Sequence, residues 1–310
     1  MIPVQDYSDW NIYDGASEGS GRSEKIWLIS DDGNIGLFKF PKIDPTTSQE
    51  TTEHISEHLA HQLGEVLGVS TANVDIGTYN GRIGSMSYLV SKPNEYLIEG
   101  IGFISGLYPN YDANKMIDPS SGKYYCLEHI FRSTDRIVPK AVWLEMMVFD
   151  FLIGNADRHQ SNWAILAYIV DSDKKKIQVR KCPLYDNGSS LCCYVNDSQL
   201  DKMFGKDPGP FNALVNTKSR SIIRIDGCRK AQPQHKEVVK YLLLEYPETH
   251  DICKRFLQKL NYEIIDELLS VYQPEILSPR KNELIRRFLK KKLEILDELV
   301  ILDELVKGGS

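Results

Sequence analysis

Apolar residues recur along the first ninety positions at two different periods. Residues 25–30 and 35–40 are short apolar-rich runs on either side of Asp31-Asp32-Gly33-Asn34, a turn sequence, and they predict a β-hairpin. Past Pro41 to Pro45 the spacing lengthens, and Ile55, Leu59, Leu63 and Leu67 stand four apart, as one face of a helix requires. Thr51 or Thr52 can cap that helix, Glu53 suits its first turn, and Gly68 ends it. Residues 74–77 and 83–91 are again strand-like, with Tyr79-Asn80-Gly81-Arg82 as the turn between them. Residues 94–139 lose this regularity. Gly, Pro, Asn, Asp and Ser separate short apolar pieces there, so a loop-rich stretch is expected. Pro139 then opens a strongly apolar helix through Val142, Leu144, Met146, Phe149 and Leu152, in which Glu145 and Asp150 are the acidic exceptions. Strands over 163–170 and 178–184 flank the polar turn 171–176. Beyond them the pattern is helical over 237–246, 251–260, 262–271 and 279–306. The expected fold is α+β and two-lobed, with a β-rich N-lobe over 1–93, a mainly α-helical C-lobe over 94–310, and a junction near Lys92-Pro93.

Bulk properties narrow the function. A formal net charge of −6 argues against direct nucleic-acid binding, which needs clustered Lys and Arg to neutralise phosphates. The one basic cluster, Arg286-Arg287 with Lys290-Lys291-Lys292, lies in a helical pattern and reads as a solvated helix face. No apolar run reaches the roughly 18 residues of a membrane span, and residues 1–13 are too polar for a secretory signal. The six cysteines form no C-x-x-C pair, which points to reduced thiols in a cytoplasm. His54, His58 and His61 share a helix face at metal-like spacing. Without a neighbouring Cys or Asp motif they read as an exposed polar face. The tail repeats Ile-Leu-Asp-Glu-Leu-Val at 295–300 and 301–306, too short a period for a solenoid unit, and reads as a helix extension.

The segment richest in chemistry is Gly154-Asn155-Ala156-Asp157-Arg158-His159-Gln160-Ser161-Asn162, directly after the apolar helix. Phosphoryl transfer needs an acceptor for the attacking hydroxyl's proton and oxygen ligands for metal ions that neutralise phosphate charge. In a kinase catalytic loop the base Asp and a metal-binding Asn stand five positions apart, as Asp157 and Asn162 do. Some twenty residues on, Pro183-Leu184-Tyr185-Asp186-Asn187-Gly188 supplies a second carboxylate at a strand end. An Asp and an Asn five apart are common in turns; the succession helix, loop, strand, turn, strand, Asp is what gives the pair meaning. Ser189 and Ser190 follow as ordinary turn serines.

The first lobe then holds nucleotide. Lys39 sits in the apolar strand Leu37-Phe38-Lys39-Phe40, an expensive place for an ammonium unless an anion meets it. A kinase gives such a lysine the nucleotide phosphates and a Glu on the next helix. Glu57, near the middle of that helix, is the expected partner ahead of Glu53 and Glu65. Upstream, Gly15, Gly19 and Gly21 fall within seven residues and allow the backbone to approach phosphates closely.

These segments resemble the HipA-like serine/threonine kinases, in particular the short forms of that family, toxin kinases among them. Residues 20–25, Ser-Gly-Arg-Ser-Glu-Lys, are similar to the family's Ser-Gly-x-Gln-x-Lys loop, and Phe38-Lys39-Phe40-Pro41 to its ATP-lysine strand. Residues 57–69 resemble its helix ending in Leu-Gly-Val, 155–162 its Asn-x-Asp-x-His-x-x-Asn loop, and 183–188 its metal segment. The resemblance covers the patterned parts of 15–190 and thins out afterwards. It implies a protein-kinase-like fold, ATP with Mg²⁺, and transfer to Ser or Thr of a protein substrate. Asp157 would be the base, and Asn162 and Asp186 the metal ligands. Gly19, Ser20, Gly21, Lys39, Glu57 and His159 would serve the nucleotide. It also implies autophosphorylation, with Ser20 the suspected target, and an antitoxin or inhibitor protein as a possible kind of partner. A bacterial cytoplasm is the compartment implied, and delivery into a host cell is compatible with it. Two departures bear on regulation: Ser23 replaces the usual Gln, and Glu18 stands where a phosphorylatable Ser often lies. The long forms' extra N-terminal module has no counterpart in this sequence. A phosphoinositide or small-molecule kinase is the alternative, since such enzymes share an Asp-Arg-His-x-x-Asn loop. A nucleotide-binding pseudokinase is the third, opposed by the intact set of Lys39, Asp157, Asn162 and Asp186.

Overall fold

The structure is a computed structural model that describes residues 1–15, 24–45, 47–171 and 176–308. The chain begins with two short strands, β1 (Gln5–Asp6) and β2 (Asn11–Ile12), followed by the hairpin β3 (Lys25–Ile29) and β4 (Ile35–Lys39). Helix α1 (Glu53–Leu67) leads to a second hairpin, β5 (Val74–Tyr79) and β6 (Arg82–Tyr88). These six strands form one sheet in the order β1-β5-β6-β4-β3-β2, antiparallel except where β1 joins β5. The β5–β6 turn is closed by Asn80 and Gly81, both at positive φ, which matches the twist of the flanking strands. Strands β1 and β2 were not foreseen, because two-residue strands carry no period.

One face of this sheet packs its own small core of Tyr7, Leu28, Phe38, Phe40 and Met86. The other turns toward α1, whose Ile55, Leu59, Leu63 and Leu67 are fully buried, as their spacing predicts. Thr52 is the N-cap of α1, yet its hydroxyl makes no cap hydrogen bond; Thr51 instead donates to Glu53.

Residues 94–139 are more regular than their composition suggests. They contain β7 (Glu95–Glu99), α2 (Gly100–Leu107), the short pair β8 (Ile117–Asp118) and β9 (Lys123–Tyr124), and α3 (Leu127–Ser133). The apolar helix follows as α4 (Ala141–Ile153), then the hairpin β10 (Ala164–Asp171) and β11 (Lys176–Lys181). Strand β7 pairs with β10 to complete a three-stranded sheet. The rest is helical: α5 (Asp197–Met203), α6 (Gly209–Asn216), α7 (His235–Glu245), α8 (Glu248–Lys259), α9 (Tyr262–Ser270) and α10 (Pro279–Gly308). Helix α4 is the axis of this half. It touches α7, α8 and α10, and all but one of its residues from Trp143 to Ile153 are buried.

Two expectations about charge are corrected. His54 and His58 are buried, not exposed, because α1 is covered on more sides than its leucine stripe alone implies. His58 Nδ1 lies 2.7 Å from the Tyr272 hydroxyl, and burial lowers the pKa of both imidazoles to about 4. The basic cluster is no solvated face either. Arg286, Arg287, Lys290 and Lys291 are half-buried, and Lys292 is buried over the rings of Phe151 and Phe288. Among the described residues no helix is long and apolar enough to cross a membrane, and no group of His, Cys, Asp and Glu has the arrangement of a protein-only metal cage. The tail repeat is part of α10, with Val300 and Asp303 buried and Leu302, Leu305 and Val306 exposed.

Candidate active site

A cleft of about 650 Å³ opens between the first sheet, α1 and the loop after α4. Its walls carry Lys39, Glu57, Asp157, His159 and Asp186. Gly19, Ser20 and Gly21 lie outside the described residues.

Lys39 is the last residue of β4 and lies cross-strand from Ser85. Its ammonium donates to Glu57 Oε1 at 2.8 Å and to Asp186 Oδ1 at 2.9 Å. Burial disfavours the ammonium, but the two carboxylates outweigh it, and the Lys39 pKa is raised above its ordinary value. Lys39 in turn, against the effect of burial, holds the Asp186 carboxyl well below the usual carboxylate range. Glu57 is buried and uses its second oxygen to accept from the Asn187 backbone N–H at 3.1 Å. It therefore joins the sheet, α1 and the segment around Asp186. Glu53, weighed in sequence as an alternative partner for Lys39, takes Lys42 instead, at 2.7 Å.

The loop that carries Asp157 starts where α4 stops. Gly154 ends that helix at φ +68°, and an added Cβ would come within 2.6 Å of Ser219 Oγ and 2.7 Å of a Phe288 ring carbon, so glycine is required twice over. Asn155 then turns the chain, its side chain accepting from the Asp157 N–H at 3.0 Å. Asn162 Nδ2 donates to the Asp157 carbonyl at 2.7 Å, which ties the two ends of the loop together; Asn162 itself is buried and is not among the residues that line the cleft. His159 Nδ1 lies 3.2 Å from the Ser161 N–H. Burial raises the Asp157 pKa; His159 opposes that shift and the Asp186 charge adds to it.

Sequence reasoning missed the scaffold beneath. Arg158, buried, reaches down from the loop to Asp150 of α4 at 2.8 Å. It also donates to the carbonyls of Asn162 and Tyr185, both at 2.8 Å, and to Asn187 Oδ1 at 2.6 Å. One guanidinium thus fixes the loop of Asp157 against the segment of Asp186. The signal was present in Asp150, since a carboxylate inside an apolar helix demands a buried partner. Asp186 itself stands at φ +56°, a left-handed backbone for a non-glycine residue of the kind that gathers at functional sites. Leu184 holds it in place by pairing with residues 70–72 through two backbone hydrogen bonds of 2.9 Å. Met116 (φ +51°), Lys42, His54 and Ser85 also line the cleft, which no motif in the sequence indicated.

Comparison with known proteins agrees with this geometry. No protein-family model matches the chain. The serine/threonine-protein kinase CtkA of Helicobacter pylori is 26% identical over 315 residues, spanning 94% of this chain and 92% of CtkA. The crystal structure of a Helicobacter pylori proinflammatory kinase, CtkA, matches with a TM-score of 0.79 at 19% identity, covering 96% of this chain and 99% of that one. HipA of Shewanella oneidensis MR-1, in a toxin–antitoxin complex with HipB and operator DNA, matches at a TM-score of 0.57 and 15% identity, covering 92% of this chain and 66% of that one. The chain is a kinase, with a kinase-like mixed α+β fold. More narrowly, it is similar to the HipA-like kinases over nearly its full length, further along the chain than its motifs reach.

Proposed function

We propose that the chain is an ATP- and Mg²⁺-dependent serine/threonine protein kinase. The observation that carries this is the meeting of Lys39, Glu57 and Asp186 in one cleft with Asp157. Asp157 is the proton acceptor for the attacking hydroxyl. Burial raises its pKa, which makes it a better base than an ordinary aspartate. Lys39 binds the nucleotide phosphates, held in line by Glu57. The donors suit Mg²⁺: a carboxylate at Asp186 and an amide oxygen at Asn162 are hard oxygen ligands, and this ion is commonly held by few protein groups together with substrate phosphates. When bound, it neutralises charge on the transferred phosphoryl group. By the family resemblance, Gly19, Ser20, Gly21 and His159 serve the nucleotide. A cleft of about 650 Å³ is of the size that takes a nucleotide.

In this proposal residues 1–93 form the nucleotide-holding lobe and 94–310 the acceptor lobe. The acceptor is a Ser or Thr of a protein, and Ser20 is a candidate for self-modification. The likeness to HipA, solved with HipB, makes an antitoxin or inhibitor protein a reasonable partner. The place of action is the bacterial cytoplasm. A lipid acceptor loses its support, because the basic run 286–292 is half-buried or buried and offers no docking face.

The test is phosphate transfer from γ-labelled ATP with Mg²⁺, comparing the purified protein with Asp157→Asn and locating label by phosphopeptide mass spectrometry. The Asp157 carboxylate is not part of the loop's hydrogen-bond frame, so the variant should fold, bind nucleotide and lose transfer by at least about a hundredfold. Equal labelling by both proteins removes Asp157 from the chemistry. Absence of labelling from both, with ATP still raising the melting temperature, turns the reading to a small-molecule or lipid kinase or to a pseudokinase.

A further inference from the structure

The segment that follows Asp186 is bent in a way its sequence does not favour. Leu191 and Cys192 stand at φ +49° and +64°, two consecutive non-glycine residues in the left-handed region, soon after Asp186 at +56°. Such conformations cost on the order of 1–3 kcal/mol each and persist only where neighbours over-determine them. Here the neighbours come from three sides. The Leu191 N–H donates to the Ile153 carbonyl at 2.8 Å, and the Ala156 N–H donates to the Ser189 carbonyl at 3.1 Å. From α10, the buried ammonium of Lys281 donates to the carbonyls of Cys192 and Val195. From α1, the Thr52 N–H reaches the Cys193 carbonyl at 3.3 Å and the Ser56 hydroxyl reaches the Ser190 carbonyl at 2.9 Å.

Glu53 is the hub of the α1 side. Its Oε1 accepts from Lys42 Nζ at 2.7 Å and from the Tyr194 hydroxyl at 2.9 Å, and its Oε2 accepts from Thr51 Oγ1 at 3.1 Å. Tyr194 in turn lies 2.7 Å from Ser189 Oγ. Glu53 and Glu57 are one turn apart and lie on the same helix face, so whatever anchors the first places the second. The fit between the two segments is close: a Cβ added at Gly188 would lie 3.3 Å from Glu57 Oε1 and 3.4 Å from Glu53 Cβ.

We propose that Glu53 is a positioning residue of the kinase site, a latch that ties α1 to the strained segment after Asp186 and so holds Glu57 within reach of Lys39. This rests on the kinase function proposed above. Glu53 works through Tyr194 and Lys42 and takes no part in the chemistry. Without it, the segment 187–195 relaxes toward ordinary backbone, α1 loses its anchor at the first turn, and the Lys39–Glu57 contact is populated only part of the time. Glutamine keeps an oxygen for Tyr194 and Lys42, so Glu53→Gln should retain most of the function that Glu53→Ala loses.

The experiment compares wild type with Glu53→Ala, Glu53→Gln and Tyr194→Phe by kcat and KM for ATP, and by amide hydrogen exchange. Loss of hydrogen bonds to a charged group predicts a fall in kcat/KM of about tenfold or more for Glu53→Ala, and two- to fivefold for Tyr194→Phe. Glu53→Gln should stay within about threefold of wild type. Exchange should quicken in residues 187–195 and the first turn of α1, and not elsewhere. Unchanged kinetics and exchange in Glu53→Ala and Tyr194→Phe overturn the latch. So does exchange that quickens over the whole chain, which marks a merely structural residue. Tyr194 is half-exposed, so its variant keeps the test open should Glu53→Ala fail to fold. Should the wild type transfer no phosphate, the kinase reading fails, and the exchange comparison still decides whether the latch exists.

Discussion

Replacing Asp150 by asparagine keeps the side chain's size, removes its charge and turns one acceptor oxygen into an NH2 donor. In the native structure that charge faces Arg158: Oδ2 accepts from Nε at 3.0 Å and Oδ1 from a terminal guanidinium nitrogen at 2.8 Å. Both side chains are all but inaccessible to water, at 3% and 2% exposed. Removing one partner of such a pair leaves a buried guanidinium without its counter-charge, which costs about 3–5 kcal/mol. Against a total stability on the order of 5–15 kcal/mol, that is a large fraction. It corresponds to a fall in melting temperature of roughly 10 °C, taking a few degrees per kcal/mol for a chain of this size. The urea midpoint by circular dichroism, with ATP transfer measured at a temperature where the variant is folded, checks it. A second variant, Asp150→Asn with Arg158→Met, removes the stranded charge and should recover part of the stability. Transfer should remain low in that double variant, because the Asn162 and Tyr185 carbonyls have lost the donor that held loop and segment together. A single variant within about 1 kcal/mol of wild type, or a double variant no more stable than the single, would refute the view that this pair is what the site stands on.

His54, His58 and His235 are buried, and burial lowers their pKa values from 6.5 to about 4, 4 and 3. The unfolded chain takes up protons near pH 6.5 where the folded one does not, so their contribution to stability is full above about 6.5 and is lost as pH falls toward 4. His58→Gln, which keeps a hydrogen-bonding partner for Tyr272, should flatten the pH dependence of the urea midpoint over that range; an unaltered slope contradicts the assignment. Lys292 is buried with its ammonium 4.7 Å from the Phe151 ring centroid and 5.2 Å from that of Phe288, and burial lowers its pKa to about 7. Methionine has a similar reach without the charge, so Lys292→Met should raise stability at pH 7 by about 1 kcal/mol, and a loss would show that the cation–π contacts outweigh desolvation.

Much of this was legible one residue at a time, and where it failed the reason was packing at a distance. Lys39 stood out as an ammonium in an apolar strand, and its meeting with Glu57 follows because α1 lies against β5 and β6, and β6 pairs with the strand that carries Lys39. The spacing of Asp157 and Asn162 pointed to a loop, and the structure closes that loop through the Asn162 amide. Helix α2 was illegible because its sequence, GIGFISGL, holds three glycines, each unfavourable by about 1 kcal/mol in a helix. Its place is set from outside: the Gly100 N–H donates to the Trp163 carbonyl at 2.8 Å, and Ile104 is buried in the main core. Strand β7 was hidden between Pro93 and the glycines, and only its pairing with β10 over residues 95–99 makes it a strand.

Charges were read well or badly according to their frame. Asp150 and Lys39 each interrupt an apolar period, so the pattern itself announces a buried charge that must be matched, and both prove to belong to the scaffold or the lining of the cleft. Lys292 follows Lys290 and Lys291 and interrupts nothing. Its burial comes from α4, which lays Phe151 across α10 from 141 positions away in the chain, and no local pattern could register that. Glu53 belongs to the same class: an acidic residue in a helix's first turn is the commonest of placements, and its hold on Tyr194 arises only because the strained segment after Asp186 folds back over α1. Residues that supply chemistry therefore leave a trace in the local sequence, because their polarity conflicts with their surroundings. Residues that position them leave none when their polarity suits the local sequence, and among such residues the structure adds most to what the sequence reveals.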